Sequence, residues 1–386
     1  MRILIIHNTY QHKGGEDIVM LLERSLLEKH NHEVYDYFVS NDSIKGPYQM
    51  IKTFMNINYS HHQKNKISEC LQEINPDIVH IHNFFPLITP SVFDACIENN
   101  IPVVHTLHNY RLICPSALLM HNNKIYEKSI VKNAFATVAD KVYRDSYFGT
   151  YAVARMIEYH KRNKTWETKV NQFIALTDFA KSKFIETGFL DHKISVKPNF
   201  VEDNGFDNKK EDYFLFIGRL SEEKGIDLLL NAFMHNGKPL QIIGKGPKEK
   251  NVIDIASKYT NISYLGFQDK TFIMQKLKKA RALIFTSICY EGMPMTILES
   301  FSAGTPVIGP NIGGPNEIIN HGENGLIYQV NDLDDLNKKI SLLTTEKSLQ
   351  NKLSIGARSS YELNYSADRN YKMLMDIYKK VIDEKA

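Results

Sequence analysis

The chain has 386 residues, 43% of them hydrophobic and 24% charged, with a formal net charge of +3. That length exceeds the roughly 250–300 residues at which a single core stops growing, so two domains are expected, and the near-neutral charge speaks against a nucleic-acid binder. Four scattered cysteines without a CxxC pair exclude a disulfide frame or a zinc ribbon and point to reduced thiols in the cytoplasm. The opening MRILIIHNTY is too short an apolar run for a signal peptide, and no run of about 18 apolar residues occurs, so a soluble or peripheral protein is expected.

In chain order, RILIIH (2–7) has the unbroken apolar character of a strand buried on both faces. A polar loop through Gly14-Gly15 and a helical pattern over 16–29 follow it. VYDYFV (34–39), DIVHIH (77–82), PVVHTLH (102–108), FIALT (173–177) and ISVKPN (194–199) continue the series, with helix-like stretches between them. The rhythm restarts after the polar interval 202–212 with five strand candidates: YFLFIG (213–218), LQIIGKG (240–246), ISYLG (262–266), ALIFTS (282–287) and TPVIGP (305–310). A last helix is expected over 370–384. Strands alternating with helices, without hairpin signals, indicate parallel doubly wound sheets. The expectation is two α/β domains, 1–204 and 205–386, facing across a cleft, the last helix packing back on the first. Ligands bind outside the carboxyl ends of such strands, so the loops there are where chemistry is sought.

GRLSEEKG places Arg219 and Lys224 in the loop after the first strand of the second half, where two cations suit a diphosphate. IGKGP (243–247) makes a tight strand exit, but neither GxxxxGK[ST] nor GxGxxG is present, which disfavours ATPase and nicotinamide readings. CYEGMPMTILES (289–300) puts Glu291 before a helix, Pro294 at a position suited to its first residue, and Glu299 about five residues inside, about 7 Å along the axis. A carboxylate, a row of amide donors around Gly292–Met295 and a second carboxylate match a sugar, a diphosphate and a ribose in that order. The alternative is that acidic residues simply favour a helix start.

Together GRLSEEKG, EGMPMTILE and GTPVIGPNIGGPNEIINHGENGLIY resemble the retaining glycosyltransferases of family 4, with the GT-B fold of two Rossmann-like domains. The resemblance spans nearly the whole chain and is most specific over 216–328. It implies that Arg219 and Lys224 grip the donor diphosphate, that Glu291 binds donor-sugar hydroxyls and that Glu299 holds the ribose. It further implies donor contacts from Gly218, Gly244, Gly266, Phe267, Gly292, Met293, Pro294, Met295 and Thr296. In the first half, Gly14 and Gly15 match the glycine loop that closes over the donor, and His108 in TLHN matches the histidine beside the reacting sugar. Asn109 departs from the Asp common after that histidine, and PNFV (198–201) replaces the commoner Pro-Asn-Gly.

The implied activity is transfer of a hexose or N-acetylhexosamine from a nucleotide-sugar, UDP-linked before GDP-linked, with retention and without a metal or other cofactor. Other readings are a nucleotide-sugar 2-epimerase of the same architecture and a silent binding subunit. His80 and His82 share one strand face, but the sequence suggests no third metal ligand nearby. His80 reads as a core residue and His82 as lining the cleft. Residues 111–170 hold eleven Lys and Arg against five Asp and Glu, interleaved with Tyr143, Tyr147, Phe148, Tyr151, Tyr159 and Trp166. Either this region or the acid-free stretch 45–66 alone reads as a solvated helical face with buried aromatic rings; together they fit an anionic membrane surface on the cytoplasmic side and a lipid-linked glycan acceptor of bacterial surface-polysaccharide synthesis.

Overall fold

Among the residues described by the computed structural model (1–10, 14–207 and 209–384), the first half forms one sheet of six strands and a short two-stranded one, Met120–His121 with Lys124–Ile125. The six are β1 (Arg2–Thr9), β2 (Glu33–Ser40), β3 (Ile78–Asn83), β4 (Val103–Leu107), β5 (Gln172–Ala175) and β6 (Ile194–Val196). They pair in the order β2-β1-β3-β4-β5-β6, and every pair is parallel. β3 and β4 are buried along their whole length, as their apolar runs require, whereas β2 at the sheet edge exposes five of its eight residues. The helix Gly15–Lys29 covers one face of this sheet through Met20 and Leu27. The last helix, Ala367–Asp383, packs there too. Its Leu374, Met375, Ile377, Tyr378 and Val381, at helical spacing, share a core with Ile3, Ile5, Ile78, Val104 and Ile174.

The second half repeats the plan with β7 (Phe214–Ile217), β8 (Leu240–Ile243), β9 (Ile262–Tyr264), β10 (Ala282–Ile284), β11 (Val307–Pro310) and β12 (Gly325–Tyr328). The order is β9-β8-β7-β10-β11-β12, again parallel throughout. This bears out the doubly wound α/β class and adds one strand to the five expected. GLIY follows directly on Gly322-Glu323-Asn324 and is only four residues long, so its signal merges with the loop.

The chain divides into two compact units. One holds Met1–His121, Tyr126–Pro198 and the C-terminal segment from Asn370; the other holds Asn122–Ile125 and Asn199–Arg369. In each sheet the connections reverse direction once, between β1 and β3 in the first unit and between β7 and β10 in the second. Crevices at such reversals are where open parallel sheets bind ligands.

Candidate functional site

In the second unit, the loops after β7 and β10 meet at the reversal. A single tight turn, Glu222–Lys224, follows β7 and is bolted to the loop after β10. Thr286 Oγ1 donates to the Lys224 carbonyl at 2.8 Å, Ser287 Oγ to the Glu223 carbonyl at 3.0 Å, and the Ile288 N–H to the Glu223 carbonyl at 2.9 Å. Gly225, at φ +67°, makes the junction possible, since a Cβ there would lie 2.0 Å from the Thr286 carbonyl oxygen.

This clamp brings Lys224 and Glu291 into an ion pair. Three donors converge on one carboxylate oxygen of Glu291, Oε1: Lys224 Nζ, Ser287 Oγ at 2.7 Å and Cys289 Sγ at 3.7 Å. Among the described residues, none donates to Oε2, which keeps its capacity to accept hydrogen bonds. Burial pushes the Glu291 carboxyl up, but the Lys224 ammonium, Ser287 and Cys289 override it and hold the group below its ordinary value. Burial pulls Lys224 down, and Glu291 more than restores it. Both are therefore charged at neutral pH.

Glu291 is followed by the helix Met295–Ser302, with Pro294 as its N-cap and not its first residue, one position earlier than the sequence suggested. The first N–H groups of the helix, from Met295 and Thr296, have no intrahelical partner. Glu299 is the fifth helical residue. Burial raises its carboxyl against the pull of Lys270, and no described residue hydrogen-bonds to it. Arg219 is exposed and makes no ion pair among the described residues. Gly218 and Gly244 close the strand exits, donating to the Ile243 carbonyl at 3.1 Å and the Gly266 carbonyl at 2.9 Å. Phe267, 69% exposed, follows, with Lys245 Nζ 5.7 Å from its ring centroid. Met293 is buried and its sulfur accepts the Asn199 N–H at 3.0 Å, so it anchors the loop that carries Gly292.

Gly313 and Gly314 are more than the ordinary turn their sequence allows. The Gly314 N–H donates to the Glu291 carbonyl at 3.0 Å, and a Cβ on Gly314 would lie 2.2 Å from the Gly292 carbonyl oxygen. The loop after β11 thus forms the floor beneath the Glu291 loop.

In the first unit, Gly14 is the N-cap of the helix Gly15–Lys29 and Gly15 its first residue; Gln11, His12 and Lys13 of the same loop lie outside the described residues. Asp17 ties the loop down, accepting from the Gly14 N–H at 2.7 Å and pairing with His7 Nε2 at 2.8 Å. Glu16 is gripped by Asn83 and Asn109, each Nδ2 at 3.1 Å from a different carboxylate oxygen. Burial, then the Asp17 charge, raise the Glu16 carboxyl to about 7, against the hydrogen bonds of Tyr10 and Asn109 and the charge of Arg111. Asn109, the departure noted in TLHN, is therefore the partner of a carboxylate that the sequence did not single out.

His108 leaves the end of β4, with its Nε2 2.9 Å from His82 Nδ1. His82, expected to line a cleft, is 2% exposed and so is a buried residue, because His108 stacks over it. His80 is a core residue, with Nδ1 2.6 Å from Tyr378 Oη and Nε2 2.8 Å from Thr106 Oγ1. The structure does supply the third potential ligand that the sequence did not suggest: Glu23, with ligating atoms of Glu23, His80 and His82 within 4.8 Å of one another. The fit to a metal is poor. Lys197 Nζ already sits 2.5 Å from Glu23, where a second cation would be repelled, and both His80 nitrogens are engaged. Glu23 and Lys197 are 174 residues apart, and only a contact between distant segments reveals them.

With this geometry in hand, comparison with known proteins gives a consistent result. The Glycosyltransferase Family 4 domain family matches residues 13–204, and the family of Glycosyl transferases group 1 matches residues 198–360. An uncharacterized glycosyltransferase of Methanocaldococcus jannaschii is 22% identical over 391 residues, covering 99% of each chain. The solved structure of Anabaena HepE with UDP-glucose has a TM-score of 0.69 at 15% identity, over 98% of this chain and 100% of that one. The lipopolysaccharide outer core galactosyltransferase WaaB has a TM-score of 0.67 at 18% identity, over the same shares. At such identities the structures speak for the fold, and the two matched families, adjoining across most of the sequence, speak for the activity. The chain belongs to the glycosyltransferases of family 4 and has the GT-B fold.

Proposed function

We propose that the chain transfers a hexose or N-acetylhexosamine from a UDP-linked donor, in preference to a GDP-linked one, to a lipid-linked or surface-polysaccharide acceptor of the bacterial envelope. The transfer retains anomeric configuration and needs no metal. The observation that carries this reading is the Glu291 carboxylate, whose Oε1 is saturated by Lys224, Ser287 and Cys289 while Oε2 stays open beside a helix N-terminus. Oε2 accepts a hydroxyl hydrogen of the donor sugar. The Lys224 ammonium has three N–H groups and gives one to Glu291, which leaves two for the diphosphate. Arg219 adds a second fixed cation, and together they provide the charge a metal would otherwise bring. Glu299, whose carboxyl accepts no hydrogen bond among the described residues, accepts the paired hydroxyls of the ribose.

In the reaction the bond from the anomeric carbon to the diphosphate oxygen breaks with its electron pair leaving on the nucleotide. The acceptor oxygen bonds to the same face of that carbon, and its proton passes to the departing phosphate. His108 contacts the donor sugar. The uridine preference is supported by HepE, which binds UDP and UDP-glucose, and the envelope acceptor by WaaB, a lipopolysaccharide galactosyltransferase. Membrane docking is supported by the helix Gly46–Asn56, which buries none of its side chains and exposes Tyr48, Ile51 and Met55 beside Lys45 and Lys52. Arg155 Nη2 links the helix Tyr147–Arg162, with its exposed Phe148, to the Phe54 carbonyl at 3.3 Å.

The test is thermal stabilisation by UDP, GDP, ADP and their sugar conjugates, since a ligand of the folded state raises stability by mass action. UDP and one UDP-sugar are expected to give the largest shifts. Glu291→Gln is expected to lose turnover of that sugar while UDP still binds. Loss of UDP binding in that variant would refute the role given to Glu291.

A further inference from the structure

A chain of buried polar groups in the first unit runs from Lys197 to His108. Lys197 Nζ lies 2.5 Å from Glu23 Oε1, and neither side chain is more than 1% exposed. Among the described residues, the other carboxylate oxygen, Oε2, makes no hydrogen bond and faces His82 Nε2, equally unpartnered, at 3.6 Å. His82 Nδ1 then meets His108 Nε2 at 2.9 Å. A neutral imidazole carries one N–H and one lone pair, so the position of a single hydrogen decides what the opposite nitrogen can do. Both rings are neutral: burial, followed by the neighbouring histidines and Lys197, pushes His82 and His108 well below the usual histidine range.

Two placements of the hydrogens satisfy the bond between the rings. In one, His82 carries its hydrogen on Nε2, toward Glu23, and accepts at Nδ1 from His108 Nε2–H. In the other, His82 donates from Nδ1 and turns an Nε2 lone pair on a carboxylate oxygen 3.6 Å away. The second sets lone pair against negative charge in a buried site of low dielectric, where repulsion is strong. The first turns an N–H toward the same oxygen, the arrangement by which carboxylates orient histidines in other buried sites. His80 does not compete for His82, since Tyr378 and Thr106 hold both its nitrogens.

We propose that Glu23, held in place by Lys197, acts through His82 as a positioning residue that fixes the tautomer of His108, so that His108 presents Nδ1 as a lone pair to the donor sugar. A lone pair there accepts from a hydroxyl and repels a carboxylate. The donor class is therefore a neutral hexose or N-acetylhexosamine with a hydroxyl facing His108, and a uronic acid with its carboxylate in that place is rejected. The inference rests on the reading that His108 contacts the sugar, and the experiment separates the two.

Nitrogen-15 NMR of the full chain with labelled histidines reads the tautomer directly, with His108 assigned by its loss in His108→Ala. The expected result is a protonated Nε2 and an unprotonated Nδ1. In the double variant Glu23→Leu/Lys197→Met, which removes both charges together, the two tautomers are expected to mix. Turnover of the UDP-sugar selected by thermal stabilisation should fall about tenfold or more, with UDP binding unchanged. A wild-type His108 protonated on Nδ1 overturns the inference, and so does a folded double variant that keeps the wild-type tautomer. If the double variant does not fold, the wild-type spectrum decides alone. Undiminished turnover in His108→Ala refutes the sugar contact itself, whichever tautomer is found.

Discussion

Replacing Glu16 by Gln isolates a carboxyl group that the fold holds in its less natural state. Its value rises from an ordinary 4.5 to about 7, chiefly through burial and then through the charge of Asp17 one residue away. A raised acid binds its proton more tightly in the native than in the unfolded state, so native stability falls as pH climbs between those two values and levels off above the higher one. Each tenfold gain in proton affinity corresponds to about 1.4 kcal/mol, and the residual exposure of Glu16 reduces the total to about 1–2 kcal/mol. Urea unfolding of wild type and Glu16→Gln is to be followed from about pH 4.5 to pH 8. Any fixed offset from rotating Asn83 or Asn109 cancels in the pH dependence of the difference. The expected outcome is that the variant gains about 1–2 kcal/mol over wild type on going from the acid to the alkaline end. A difference that stays flat across this interval would show that Glu16 is not held as described.

Gly314→Ala places a Cβ 2.2 Å from the Gly292 carbonyl, so the loop bearing Glu291 must move by about 1 Å. Misplacement on that scale is expected to lower turnover about a hundredfold with UDP binding largely kept, and normal turnover would refute the role of the glycine floor. Lys197→Met alone leaves the Glu23 carboxylate buried without its partner and is expected to cost about 3–5 kcal/mol in denaturant unfolding. Glu23→Leu/Lys197→Met is expected to recover most of that loss, and equal losses in the two would contradict a simple ion pair. Vesicles containing anionic lipid should retain the protein at low salt and release it at high salt, and Lys45→Glu/Lys52→Glu should weaken retention. Retention unchanged by salt or by these substitutions would count against the docking face.

Much was legible in the sequence because the physics behind it is local. A strand buried on both faces must be apolar throughout, so RILIIH and ALIFTS declared themselves, whereas GLIY, four residues after a glycine turn, did not. Glu291 and Glu299 stand in one strand-loop-helix segment, so their spacing fixes their separation along a helix start without knowledge of the rest of the fold. What the tertiary structure alone decided are the partners drawn from distant segments. Nothing near Glu23 in the chain announces Lys197, nothing near His80 announces Tyr378, and GGPN does not say that its second glycine lies against the Gly292 carbonyl. Local sequence carries the period of burial and the chemistry of a loop. Which buried charge is neutralised, and which side of a histidine carries its hydrogen, depend on groups brought within a few ångströms by sheet pairing and helix packing, where low dielectric makes each such contact count.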